Sequence, residues 1–376
     1  MKQNRKRIGI SFINSVQGGP RIVTINHLKL IPVLSPECDF IVFTDTCTEL
    51  GFLDKFHNVK IVIIPLISKY ALLFWEQILL PFYLKRERID LVHGTKNSVP
   101  LFGGLKKICT IHDLAYYILP ETFTLPQRIH LKISAIIASF SADKIVSVSN
   151  NTKKDIQNIL KINENRIVSI YNGVDKHFFL NPSETILMLC KEKFSLPEKY
   201  ILHVGTIQPR KNIDKLIDAF ILFKREWKNK YHLVLAGRKG WMHNEIIKKI
   251  CASGMEKFIH FTGVVSDQEL KALYRLSYIF IYPSNYDGFG LVPLEAMASG
   301  TPVICSKISS LPEVVGNAAL LINQKNEKEI KDALIKLVYD EELYEKIKIR
   351  GIKRAYEFTW EKSAKQILAT YYNALV

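Results

Sequence analysis

Short β-branched runs alternate with amphipathic stretches of helical period from one end of the chain to the other. Strands separated by helices assemble into parallel sheets built from βαβ units. In the first half the runs fall near residues 7–12, 40–43, 60–64, 90–93, 108–111, 144–148 and 167–171, with helices expected at 22–34, 70–85, 126–141 and 152–160. The turn dipeptide Asn172-Gly173 and a polar stretch holding Pro182 and Pro197 break the pattern before a new strand at 200–204. Strands near 233–236, 258–262, 279–282, 303–305 and 319–322 follow, and Ser266 with Glu269 makes a capping box for a helix reaching Leu276. The expected fold class is α/β, with two Rossmann-like parallel-sheet domains at residues 1–180 and 181–359. Such sheets bind ligands at the carboxyl ends of their strands, so the loops after the strands hold the candidate site residues.

With 48% hydrophobic and 23% charged residues among 376, the chain can bury two cores and is not of the disordered class. Its formal charge of +16 is shared evenly by the two halves. Without an RRM, KH or zinc-finger signature, or a basic stripe on one face, nucleic acid is not an expected partner, and a nucleic-acid-binding protein stays a remote alternative. The six cysteines never come closer than nine positions, so there is no CxxC pair, and reduced thiols of a cytoplasmic protein are expected. The apolar run after Arg7 is too short for a signal-peptide core, and the stretch 71–84 is broken by Glu76, Gln77 and Pro81. Kinase, dehydrogenase, zincin and serine-hydrolase motifs are missing, and so is a DxD pair that would hold a divalent cation on a nucleotide diphosphate. No metal and no cofactor are expected.

The most informative segment runs from Ser284 to Ile304, SNYDGFGLVPLEAMASGTPVI, after a buried strand and into a helix. Gly288 and Gly290 let the amides around Phe289 and Leu291 approach a phosphate at the positive end of that helix. Asp287 and Glu295 are placed to accept hydrogen bonds from a polyol such as a sugar or ribose; the bland alternative is a glycine loop with a capping Asp. The second segment is Gly205-Thr206-Ile207-Gln208-Pro209-Arg210-Lys211-Asn212. Its cationic pair can neutralise the charge growing on a departing diphosphate without a metal. Read as a helix start, it sets positive charge against the dipole, a mild misfit that favours function.

With these residues the chain resembles the family-4 glycosyltransferases, whose loop reads EGFGLPxLEAMAxGxPVI, and Ser310 to Ala319 continues the likeness. The resemblance implies the two-domain GT-B fold, its domains facing across a cleft, and sugar transfer from a nucleotide-sugar donor with retention of configuration. It implies that Asp287 contacts the transferred sugar, in a place where the family has Glu and reaches roughly 1.5 Å further, and that Glu295 holds the ribose. It implies a glycine loop at Gln17-Gly18-Gly19-Pro20-Arg21 near the donor phosphates. It places His112, in Thr110-Ile111-His112-Asp113-Leu114, beside the reacting carbon, and Gly263-Val264 against the nucleotide base. The YNGVD segment at 171–175 is read as structural, SxSxxTK at 147–153 as cap and turn chemistry, and residues 360–376 as a helix crossing back to the first domain.

Tyr70, Phe74, Trp75, Phe82 and Tyr83 beside Lys85, Arg86 and Arg88 suit either an anionic membrane surface or a helix with a buried aromatic side. The family's frequent lipid-linked glycan acceptors keep a peripheral position on the inner membrane face among the expectations. The likeness is strongest to mannosyltransferases of surface-polysaccharide assembly, which makes GDP-mannose the first expected donor and UDP-sugars the next. A nucleotide-sugar epimerase of the same architecture is the alternative.

Overall fold

Each strand pairs in parallel with its neighbours, as the continuous apolar runs require of strands buried on both faces. The computed structural model describes residues 5–13, 18–66, 71–226, 230–240 and 243–376. It divides into two units, Met1–Gly173 with Thr359–Val376, and Val174–Phe358. Gln17 and Tyr70 lie outside the described residues.

The first unit's sheet comprises β1 (Arg7–Phe12), β2 (Asp39–Thr44), β3 (Val59–Ile63), β4 (Leu91–Gly94), β5 (Lys106–Ile111), β6 (Lys144–Ser147) and β7 (Ile167–Ser169), ordered β3-β2-β1-β4-β5-β6-β7. The order reverses between β1 and β4, the kind of point at which open α/β sheets take ligands. Alternate residues of each strand face opposite sides of the sheet. On one side Phe40, Leu91 and Ile108 pack with the helices Gly19–Leu34 and Trp360–Leu375. On the other side Ile41, Val92, Cys109 and Ile145 pack with Trp75 and Leu84 and with Ala135 and Ala138 of the helix Leu125–Ser141.

The stretch expected as one helix at 70–85 is described as Leu72–Phe74, a π-helical turn Trp75–Leu79, and Leu80–Arg86. Pro81 has no N–H to give the carbonyl of Gln77, and a π turn absorbs the lost bond. Its aromatics are divided: Trp75 is buried with its indole N–H on the Ile64 carbonyl (2.7 Å), while Phe74 and Phe82 are exposed.

The second unit's sheet comprises β8 (Tyr200–Val204), β9 (His232–Ala236), β10 (Ile259–Gly263), β11 (Ile279–Tyr282), β12 (Val303–Ser306) and β13 (Leu320–Ile322), ordered β10-β9-β8-β11-β12-β13, with its reversal between β8 and β11. The helix Ile213–Glu226 buries Ile213, Leu216, Ile217, Phe220 and Phe223, an apolar stripe of helical spacing. Each such side chain contributes roughly 1.5–3 kcal/mol by leaving water. The Ser266–Glu269 capping box is formed, Ser266 N–H donating to Glu269 Oε2 at 2.7 Å. Gly173 of the YNGVD segment meets the Thr359–Trp360 backbone so closely that an added Cβ would lie 2.2 Å from the Trp360 nitrogen, a packing reason for glycine there.

Candidate active site

Because β8 pairs with β11, the loops that leave their carboxyl ends lie side by side. Asn285 N–H donates to the Arg210 carbonyl (2.8 Å), and Asn285 Nδ2 to the Pro209 carbonyl (3.3 Å). These bonds bring Arg210 and Lys211 to Asp287. Lys211 Nζ lies 2.6 Å from Asp287 Oδ2, the Tyr282 hydroxyl donates to the same oxygen at 2.6 Å, and Lys211 also bonds the Tyr282 oxygen. Arg210 Nη1 donates to the Tyr286 carbonyl at 3.3 Å. Burial alone would raise the Asp287 pKa, but Lys211 and Arg210 overcome it and hold the carboxyl below its ordinary range.

The cationic pair does not start the helix as the dipole argument assumed. Arg210 and Lys211 occupy a separate 3-10 turn, Pro209–Lys211; Asn212 follows in the left-handed region at φ 56, and the helix begins at Ile213 with Asp214 in its first turn. The misfit is removed, and Asp287 supplies the countercharge.

The helix Leu291–Ala298 starts from Gly290, whose φ of 108 and whose place 2.8 Å (for an added Cβ) from Leu311 Cδ2 both demand glycine. Helix geometry leaves the first-turn amides of Leu291 and Val292 without carbonyl partners inside the helix, which suits an anion. Phe289 is buried with its ring edge-on to Phe358, so only its backbone could serve a ligand. Ser309 and Ser310 hold the loop: Ser309 Oγ accepts from Asp287 N–H (3.0 Å), and Ser310 Oγ lies 2.8 Å from the Asp287 carbonyl. Further along the helix Glu295 accepts from the buried Tyr274 hydroxyl at 3.0 Å. Burial pushes the Glu295 pKa up to about 7, against that hydrogen bond and with added repulsion from Asp267 and Asp175.

Gly205, which follows β8, and Gly263, which ends β10, lie beside a third loop. Gly205 N–H donates to the Ala236 carbonyl and Gly237 N–H to the Gly263 carbonyl, both at 2.8 Å, while Val264 is exposed. Sequence reasoning passed over this third loop, Gly237-Arg238-Lys239-Gly240, though a glycine pair directly after a strand was its signal. It also missed Tyr282, Tyr274 and Ser309, and gave no role to Ser310, which it named only within the family likeness. His203 stacks on Tyr282 with Nδ1 3.0 Å from the Ile281 carbonyl, and its buried Nε2 has no hydrogen-bond partner among the described residues.

In the first unit His112 directly follows β5, its Nε2 donating to the Thr95 carbonyl (2.8 Å) and its N–H to Asn97 Oδ1 (3.1 Å). Burial lowers its pKa to about 4, so the ring is neutral at pH 7 with its lone pair on Nδ1. Asp113 Oδ1 accepts from Ala115 N–H at 3.0 Å, opening the short helix Ala115–Ile118. Behind this loop His93 bridges Thr110 and the Tyr371 hydroxyl of the C-terminal helix, both at 2.7 Å. Gly18 precedes the helix Gly19–Leu34 with φ 125, and a Cβ on Gly19 would meet nothing within 4 Å. Arg210, Lys211 and Asp287 are thus brought together with the Gly288–Leu291 turn in the second unit, with Glu295 further along the same helix; His112, Asp113, Gly18 and Gly19 belong to the first. Among the described residues, no group of three His, Cys, Asp or Glu could hold a metal ion.

Comparison with known proteins adds two family models: "Glycosyl transferases group 1" matches residues 190–354, and "Glycosyltransferase Family 4" matches residues 34–178. The chain is 32% identical over 267 residues to the O-antigen chain mannosyltransferase B of Escherichia coli, a match that covers 71% of this chain and 70% of that protein. It is 32% identical over 263 residues to the serotype-specific mannosyltransferase WbdA of Escherichia coli, covering 69% of this chain and 32% of that protein. The structure of Anabaena Alr3699/HepE in complex with UDP and glucose superposes with a TM-score of 0.77 at 17% identity, over 98% of this chain and 100% of that one, a likeness of fold.

Proposed function

The chain belongs to the family-4 glycosyltransferases, and from that premise we propose that it transfers mannose from GDP-mannose, with retention and without a metal, to a glycan or lipid-linked glycan in surface-polysaccharide synthesis. It is a glycosyltransferase of GT-B architecture, most like the O-antigen mannosyltransferases. The second unit takes the donor and the first the acceptor, at the inner face of the membrane. The epimerase alternative is not favoured, because the relatives are transferases by name.

The observation that carries the reading is the Lys211–Asp287–Tyr282 cluster beside the amino end of the Leu291–Ala298 helix. Arg210, Lys211 and the first-turn amides stabilise the negative charge that collects on the diphosphate as the sugar leaves. Asp287, kept ionised, accepts from a hydroxyl of the transferred sugar, and Glu295 from the ribose. The acceptor hydroxyl attacks on the face from which the diphosphate departs. Its test is a thermal-shift panel of GDP-, UDP-, ADP- and dTDP-sugars in EDTA, since a ligand of the folded state raises Tm by mass action. GDP-mannose should give the largest shift. A panel with no shift, or a shift that needs magnesium or manganese, overturns the reading.

A further inference from the structure

A buried polar atom without a hydrogen-bond partner is rare in a folded protein, and each one asks what group would satisfy it. Nine such side-chain atoms occur among the described residues, and four of them, Glu76 Oε2, Ser98 Oγ, Tyr116 Oη and Ser134 Oγ, belong to segments gathered on one side of the first unit's sheet. Glu76 is the most demanding of the four. Burial pushes its pKa up to about 7, with Ser98 and the Lys96 ammonium beside it acting against the rise.

The backbone shows why these residues meet. Gln77 Nε2 donates to the Val99 carbonyl (3.2 Å) and Gln77 Oε1 accepts from Leu101 N–H (2.9 Å), which fixes the π turn Trp75–Leu79 against the loop that follows β4. Such turns are frequent at functional sites. The loop itself folds back tightly: Asn97 takes φ 53 and donates its N–H to the Thr110 carbonyl (2.8 Å), and a Cβ on Gly94 would lie 1.7 Å from the Ser98 carbonyl oxygen. Lys96, at the tip of this fold and half-buried, also depresses the pKa of His112 and of His130 on the helix Leu125–Ser141. The carboxyl of Glu76 therefore shares its cation with the His112 loop at the carboxyl end of β5. Cys109 of β5, which senses Glu76, lies in one core cluster with Tyr116, so the Tyr116 hydroxyl belongs to the same region.

A site that only had to pack would be better served by apolar side chains than by a buried carboxyl with an unbonded oxygen. The chemistry of the group that satisfies these atoms follows from what they offer. The Glu76 carboxylate accepts, the Lys96 ammonium donates, and the Ser98 and Tyr116 hydroxyls do both. A phosphate chiefly accepts, and its charge would be set against Glu76. The hydroxyls of a neutral sugar both donate and accept, and match all of these partners.

We propose that Glu76, Lys96 and Ser98 bind the hydroxyls of the acceptor's terminal sugar, a neutral pyranose, at the carboxyl ends of β4 and β5. This rests on the acceptor's placement in the first unit proposed above and adds the side chains that read it. The test is calorimetric titration of the full chain with methyl α-D-mannopyranoside, with inorganic phosphate as the comparison. Wild type should bind the glycoside and not phosphate. Glu76→Gln and Lys96→Met should each weaken glycoside binding more than tenfold, the loss expected for a hydrogen bond to a charged group, and Ser98→Ala about threefold. Glu76→Gln buries a neutral amide in place of an acid, so it should keep or exceed the wild-type Tm. All three variants should keep the Tm rise given by GDP-mannose, because the donor loops lie in the other unit. A wild-type protein that responds to GDP-mannose but binds no glycoside overturns the pocket and leaves the enzyme reading intact. Glycoside binding that Glu76→Gln abolishes, in a protein that binds no sugar nucleotide, upholds the sugar site and overturns the enzyme reading. Unchanged glycoside binding in the variants, or phosphate binding that survives Glu76→Gln, also overturns the proposal.

Discussion

Donor binding should expel a proton from Glu295. In the ligand-free protein burial holds this carboxyl at about 7, so at pH 6 it is about nine-tenths protonated. A ribose diol that donates hydrogen bonds to Glu295 requires the carboxylate, and those bonds bring its pKa back toward the ordinary 4.5. The shift of about 2.5 pKa units corresponds to roughly 3 kcal/mol of linkage at 1.36 kcal/mol per unit. Affinity should therefore climb close to tenfold per pH unit between about 5 and 7 and level off above. The buried rings of His203 and His112, held at about 4, and of His27 and His93, held at about 3, stay neutral across this range. Glu76, also raised to about 7, belongs to the first unit, and a Glu295→Gln control exposes whatever it contributes. Calorimetric titration with GDP-mannose at pH 6, in buffers of unequal ionisation enthalpy, should report release of about 0.9 proton, falling to about 0.1 at pH 8. Uptake or release below about 0.3 proton at pH 6, or an unchanged pH slope in Glu295→Gln, would refute a ribose held by the ionised carboxylate.

The same shift makes a stability prediction without ligand. A folded pKa above the unfolded value stabilises below pH 4.5 and loses that contribution as pH rises through about 7, so Glu295→Gln should gain up to about 3 kcal/mol over wild type at pH 8 and little at pH 4.5, read by urea denaturation. Lys211→Ala should reduce sugar transfer by more than 100-fold, and because it strands the buried Asp287 it should cost about 3–5 kcal/mol; adding Asp287→Ala should restore stability but not activity. Gly290→Ala forces a side chain to φ 108 against Leu311 and should lower stability by about 1–3 kcal/mol in the same assay. His93→Phe removes both 2.7 Å bonds to Thr110 and Tyr371 and should lower stability by about 1–3 kcal/mol.

Much of the fold was legible because strand and helix periodicities are local. The runs at 200–204 and 279–282 were read with the bounds that β8 and β11 have in the structure. The stretch 70–85 reads as one helix in the sequence, without the π turn, since Pro81 signals a lost hydrogen bond but not how the backbone absorbs it. At the candidate site the loops could be named, but not their wiring. Tyr282 looked like a strand's last apolar residue until its hydroxyl proved to join Lys211, 71 positions away, to Asp287. The glycine pair of the Gly237–Gly240 loop is visible in the sequence, but that Gly237 N–H meets the Gly263 carbonyl is seen only in the fold.

Period, turn residues and the glycine-carboxylate spacing settled the α/β class and singled out the loops of the candidate site, because each of these signals is written within a few residues. Burial and charge pairing come instead from residues that folding gathers from distant segments. Only the folded sheet could therefore give Asp287 its cation, raise the Glu295 pKa, and bring Glu76 to Lys96 and Ser98.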